Sequence, residues 1–178
     1  MQDFYRDLKK CCNGAAVALR DKNIKWNNGI PEKKKLYSGE REFLAEVYRL
    51  LIEIDRDYTN HLFVDYLPAI ESEGSKRVLP DVVYLSDDPN DKGIVEAKVI
   101  VTKRKKGDPN PYKSDRESID LDYDKLKRNY KRFKRKFLVV AYLGDVKYKD
   151  DSVFSIRKFK NKISELYQDT GEIKVISC

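Results

Sequence analysis

The sequence predicts an α/β (α+β) fold: a mixed β-sheet flanked by helices, with core order αβββαβ. Three observations lead there. Two stretches, 38–57 and 115–133, carry apolar residues at helical spacing. Between them lie runs rich in β-branched and aromatic residues, separated by turn chemistry. After the second helix, positions 137–143 form an uninterrupted apolar run with two adjacent valines, which suits a strand buried on both faces.

Each element can be justified in turn. Within 1–36, residues 4–20 have Leu8, Cys12, Ala15 and Leu19 near helical spacing, and 21–35 reads as a loop through Asn27-Asn28-Gly29 and Pro31. In 38–57, Ser38 is placed to cap, Glu40 and Glu42 suit the positive end of the helix dipole, and Phe43, Val47, Leu50, Leu51 and Ile54 form the apolar stripe. Residues 61–67 read as a strand closed by Pro68. Residues 77–85 and 94–102 read as two more, joined by the turn-rich segment 87–93, so the three form an antiparallel meander. The helix at 115–133 packs through Ile119, Leu126, Tyr130 and Phe133. A last helix is expected over 151–168 and a short strand over 172–176.

A chain of 178 residues is one domain in size, and twelve Tyr and seven Phe supply a core. The division expected is an appendage at 1–37, a core at 38–143 and a C-terminal helix and strand at 144–178. With 37 Lys and Arg against 30 Asp and Glu, the formal charge is +7, which favours polyanionic partners. The longest apolar run is far short of the roughly 20 residues that span a bilayer, so no membrane partner is expected. Three cysteines, two of them adjacent, make no disulfide framework and fit a reducing, cytoplasmic setting. A single histidine excludes two-histidine zinc helices, and the eight glycines form neither a Walker loop nor a dinucleotide fingerprint.

The chemistry-bearing residues are Pro80-Asp81 and Glu96-Ala97-Lys98. Side chains alternate along a strand, so Glu96 and Lys98 share one face while Val95, Ala97, Val99 and Val101 share the other. An antiparallel partner can bring Asp81 opposite them. Two carboxylates and an ammonium then converge at one sheet margin, and a hard divalent cation is the natural means of offsetting the carboxylate repulsion. Mg²⁺ takes oxygen ligands and keeps several waters, so two carboxylates, a backbone carbonyl and substrate oxygens suffice. It can polarise a phosphoryl oxygen and acidify a bound water, while Lys98 orients that water or stabilises charge on the phosphate. A cross-strand ion pair on a half-exposed sheet is the plainer account of the same residues, worth roughly 0.2–1 kcal/mol.

Pro80-Asp81, with Glu96 fifteen positions after Asp81 and followed by x-Lys98, resembles the PD-(D/E)xK nuclease superfamily. The resemblance covers roughly 38–143. It implies a restriction-endonuclease-like fold and a Mg²⁺-dependent endonuclease, with Mn²⁺ able to substitute. Asp81, Glu96 and the main-chain carbonyl of Ala97 would hold the metal, and Lys98 would assist the water. Many members add a helix Glu. Glu46 is favoured here for its place beside Ala45, Val47 and Leu50, with Glu42 next and Glu40 third. The resemblance further implies products with a 5′-phosphate and a 3′-hydroxyl, and often a dimer. DNA is favoured as partner; RNA or branched junctions, a non-catalytic nucleic-acid-binding module, and an interaction protein stay open.

Two basic segments are candidate nucleic-acid contacts. Lys103, Arg104, Lys105 and Lys106 follow the third strand directly. Lys127, Arg128 and Lys131 belong to a run of eight basic residues between 125 and 136 that contains no acid. The first half of that helix is acidic, so the run equally complements the helix dipole and leaves a solvated face.

Overall fold

The computed structural model describes residues 4–30, 38–64, 80–86, 88, 92–101, 113–128, 130, 133–144, 156–167 and 172–178. Helix α1 spans Phe4–Trp26, α2 Glu40–Ile54, α3 Tyr58–His61, α4 Lys113–Arg128 and α5 Ile156–Leu166. Strands are β1 Leu62–Val64, β2 Val82–Leu85, β3 Lys92–Ile100, β4 Arg135–Tyr142 and β5 Ile173–Ser177. They form one mixed sheet in the order β1-β2-β3-β4-β5. The first two pairings are antiparallel, as the meander requires, and β3-β4 and β4-β5 are parallel.

The sheet is covered on both faces, which explains the uninterrupted apolar run of β4 from Phe137 to Tyr142. Val95, Ala97, Phe137, Val139 and Ala141 pack with α1 and α2. Ile94, Ile100, Leu138, Val140 and Tyr142 pack with Ile119 and Leu126 of α4 and Phe159 and Ile163 of α5. Gly93 opens room for rings: a Cβ there would lie 3.1 Å from Phe137.

Residues 4–26 correct the appendage expected over 1–37. Phe4, Leu8, Cys11, Cys12, Ala15, Ala16 and Leu19 are all buried, and α1 is one layer of the core. Phe4 stacks on Tyr84 with ring centroids 4.2 Å apart and meets Phe137 edge-on. The helix also continues past Arg20 through the expected loop to Trp26. The physical reason is Asn23: its Nδ2 donates to the Leu143 carbonyl, and its Oδ1 accepts from the Ser38 amide and hydroxyl. Ser38 is thereby turned inward, and Gly39 stands at the N-cap of α2 without a side-chain cap. Arg20 adds a bond to the Tyr142 carbonyl.

Helix α4 stops at Arg128, five residues before the expected end at 133, so of the basic run Lys125, Lys127 and Arg128 lie on the helix and Arg135 and Lys136 on β4. Among the described residues, no helix is long and apolar enough to cross a membrane.

Truncating Phe4 tests whether α1 belongs to the core. Phe4→Ala should cost about 3–5 kcal/mol in urea unfolding, the range for a buried aromatic. A loss below about 1 kcal/mol would return α1 to the periphery.

Candidate active site

Strand β3 lies in the middle of the sheet and carries Glu96 into the space under α4. Antiparallel register pairs Val82 with Val95, so one step further Asp81 falls opposite Glu96. Pro80 is buried just before β2, where no ladder donor is needed. Asp81 Oδ2 accepts the Ala97 amide at 2.7 Å, which fixes that carboxylate against β3.

Glu96 is 1% exposed. The Tyr130 hydroxyl donates to its Oε1 at 2.7 Å, and Lys125 Nζ lies 3.6 Å from its Oε2. Lys125 also donates to Asp122 at 2.8 Å. Lys98 Nζ stands 3.5 Å from Glu40 and 4.0 Å from Asp122. The cluster therefore holds four carboxylates (Asp81, Glu96, Glu40 and Asp122) and two ammoniums (Lys98 and Lys125).

The electrostatics follow from that imbalance. Burial, the charge of Asp81 and that of Asp122 push the Glu96 carboxyl up from 4.5 to about 8, against the opposing pull of Tyr130 and Lys125. Burial, with Glu40 and Asp122 adding, pushes Asp81 from 3.8 to about 6, although the Ala97 amide and Lys125 oppose it. Burial also lowers Lys125, but the Asp122 hydrogen bond and the charges of Glu96, Asp122 and Asp81 outweigh it, and its net shift is upward. Burial and the neighbouring Glu96 push the Tyr130 hydroxyl up, so it stays a donor.

A divalent cation fits this donor set in charge and chemistry. Fully ionised, the four acids exceed the two lysines by two charges, and Asp81 falls opposite the buried Glu96 in the antiparallel register. Among the described residues, no three His, Cys, Asp or Glu side chains are grouped to hold a metal. The available donors are a carboxylate pair, and Mg²⁺ commonly completes such a pair with water and phosphate oxygens.

Asp81, Glu96 and Lys98 are thus gathered at one place. Glu46 and Glu42 are not. Glu46 is bound by Arg49, whose hydrogen bond holds that carboxyl below its ordinary range. Glu42 pairs with Lys22 of α1 at 3.8 Å. Helical angles explain the correction. Phe43, Val47 and Leu51 define the buried stripe of α2, and Glu40 shares their face, seven residues before Val47. Glu46 and Glu42 lie roughly 100° and 140° off that stripe. The α2 acid beside the site is Glu40.

Asp122, Lys125 and the Tyr130 hydroxyl complete the site and were not picked out as site residues. A signal existed for Asp122: it sits between Ile119 and Leu126 on the inner face of α4, where an acid needs a partner. Of the candidate nucleic-acid contacts, Lys127 is exposed with Nζ 4.2 Å from the Tyr123 ring centroid, and Arg128 is exposed beside Asp124 at 3.5 Å. Lys103, Arg104, Lys105, Lys106 and Lys131 lie outside the described residues. His61 is tied to the Leu85 carbonyl and Asp57. No protein-family model matches the chain, and no curated protein or solved structure does either.

The raised carboxyls give a pH signature in chelator. The folded state keeps the Glu96 proton to about pH 8 while the unfolded chain releases it near 4.5, so this group's destabilisation grows as pH rises between those values. From about pH 6 to about pH 8 the urea midpoint should fall, and Glu96→Gln should flatten that fall. An equal slope in the variant would show that Glu96 ionises as freely folded as unfolded.

Proposed function

We propose that the chain is a metal-dependent phosphodiesterase that cleaves nucleic acid, DNA foremost, with a PD-(D/E)xK site on a restriction-endonuclease-like core. The observation that carries the reading is the juxtaposition of Asp81 and Glu96 in the antiparallel register, with Lys98 two residues on along β3 and its ammonium between Glu40 and Asp122. The element order supports it: apart from the four-residue α3 between α2 and β1, the run from α2 to β4 follows the αβββαβ order that the resemblance implies. The basic balance of the chain supports a polyanionic substrate.

Asp81, Glu96 and the main-chain carbonyl of Ala97 would hold Mg²⁺. When bound, the ion supplies a polarised phosphoryl oxygen and an acidified water. The chain's own groups do the rest. The Ala97 amide fixes Asp81, and Tyr130 fixes Glu96, so neither carboxylate must reorganise on binding. Glu40 and Asp122 hold the Lys98 ammonium at the solvent margin, where its side chain is 28% exposed. From there it orients the attacking water and meets negative charge as it builds on the phosphate.

Incubation with supercoiled plasmid in Mg²⁺ should give nicked and linear products, and chelator should stop the reaction. Lys98→Ala should slow cleavage by about 100-fold to 1,000-fold, the scale for losing one charge-stabilising donor, without lowering the urea midpoint. Wild-type turnover by this variant would remove Lys98 from the reaction. Salt-dependent binding with no cutting in Mg²⁺ or Mn²⁺ would leave a binding module. Asp81→Asn should weaken Mn²⁺ affinity in calorimetry; unchanged affinity would exclude Asp81 as a ligand.

A further inference from the structure

The amine of Lys125 occupies the place where positive charge is needed most. Glu96 is the most deeply buried carboxylate of the cluster, and among the described residues no other cation lies within 4 Å of it. Lys125 reaches it from α4 while hydrogen-bonded to Asp122 one turn earlier on the same helix. The two contacts differ in kind. The one to Asp122, at 2.8 Å, is a hydrogen bond; the one to Glu96, at 3.6 Å, is an ion pair outside hydrogen-bond range. A dication on Glu96 would meet this ammonium at close range, in surroundings where like charges repel strongly. Lys125 can yield without losing its own partner, because Asp122 retains it. Its side chain is 35% exposed, so a path toward solvent is open.

We infer that Lys125 is a resident counter-ion: in the metal-free protein it stands in the cation's place beside Glu96, and it gives way to the divalent ion while staying on Asp122. The inference rests on the divalent-ion reading of the site. It adds a competitor built into the fold, which restrains metal affinity and keeps the empty site folded. Lys125 is a positioning residue in this scheme.

The test uses the full chain and Mn²⁺ as probe, after chelator treatment. Lys125→Met keeps much of the side-chain volume and removes the charge. It should bind Mn²⁺ at least about tenfold more tightly in calorimetry, because a nearby positive charge is gone. Wild-type affinity or weaker binding in the variant overturns the inference while leaving the metal reading intact. If neither protein binds Mn²⁺, the metal reading falls and this one with it. A metal-free measurement stands beside it: in chelator and at alkaline pH, Lys125→Met should lower the Tm of the wild-type chain but scarcely that of a Glu96→Gln chain. If Lys125→Met does not fold alone, the Glu96→Gln/Lys125→Met double variant should recover folding. An equal penalty in both backgrounds, or failure of the double variant to fold, would show that Lys125 serves Asp122 and packing only, and would overturn the proposal.

Discussion

A carboxylate on the middle strand of a sheet that is covered on both faces constrains everything built around it. Glu96 sits on β3 with Leu138 of β4 beside it in register, and it is almost wholly excluded from water. An isolated charge there would be strongly disfavoured. The surroundings answer that constraint from three directions. Tyr130 donates from beyond the end of α4, Lys125 approaches from within α4, and Asp81 stands opposite on the neighbouring strand with its own oxygen held by the Ala97 amide. Two of these groups stabilise the charge and one opposes it, and the opposition, with burial, holds the Glu96 carboxyl above its ordinary range.

The two faces of the sheet divide the labour. The face toward α1 and α2 is apolar along β3 and β4, and stacked and tilted aromatic rings from Phe4, Tyr58, Tyr84 and Phe137 fill one end of it. The opposite face is apolar at Ile94 and Ile100 and charged between them at Glu96 and Lys98. A rigid apolar layer behind a charged strand segment is a sound way to hold reactive groups, since packed side chains on regular elements define positions more closely than loops do.

Much of this was legible from residue patterns. Alternation along β3 put Glu96 and Lys98 on one face, and the turn-rich 87–93 segment announced the hairpin that brings Asp81 across. The mixed sheet was expected from the apolar run of 137–143, but which strands β4 would lie between was not legible, because such a run names no partner. The α2 acid was misplaced because proximity in sequence to apolar residues was weighed above angle around the helix: Glu46 touches the stripe in the written sequence, whereas Glu40 lies on it in space. Asp122 and Lys125 belonged to an apparently ordinary charge gradient along α4, and only the position of Ile119 and Leu126 distinguishes the inward pair from the outward ones. The role of α1 was hidden by small residues. Ala15 and Ala16 contribute little hydrophobic signal, yet they permit close approach to neighbouring elements.

One arrangement has a bearing on how the chain reaches its native state. Phe4 and Cys178 belong to the same buried cluster, and Cys178 closes it by exchanging backbone hydrogen bonds with Val140 and Tyr142. The first helix thus has no finished surface to settle on until the last strand has joined the sheet. Contacts this distant along the chain must be closed against a large loss of chain entropy, and proteins dominated by them fold slowly. A chain in which β5 had not yet paired would present the apolar edge of β4 to its surroundings, and such an edge invites association with other chains.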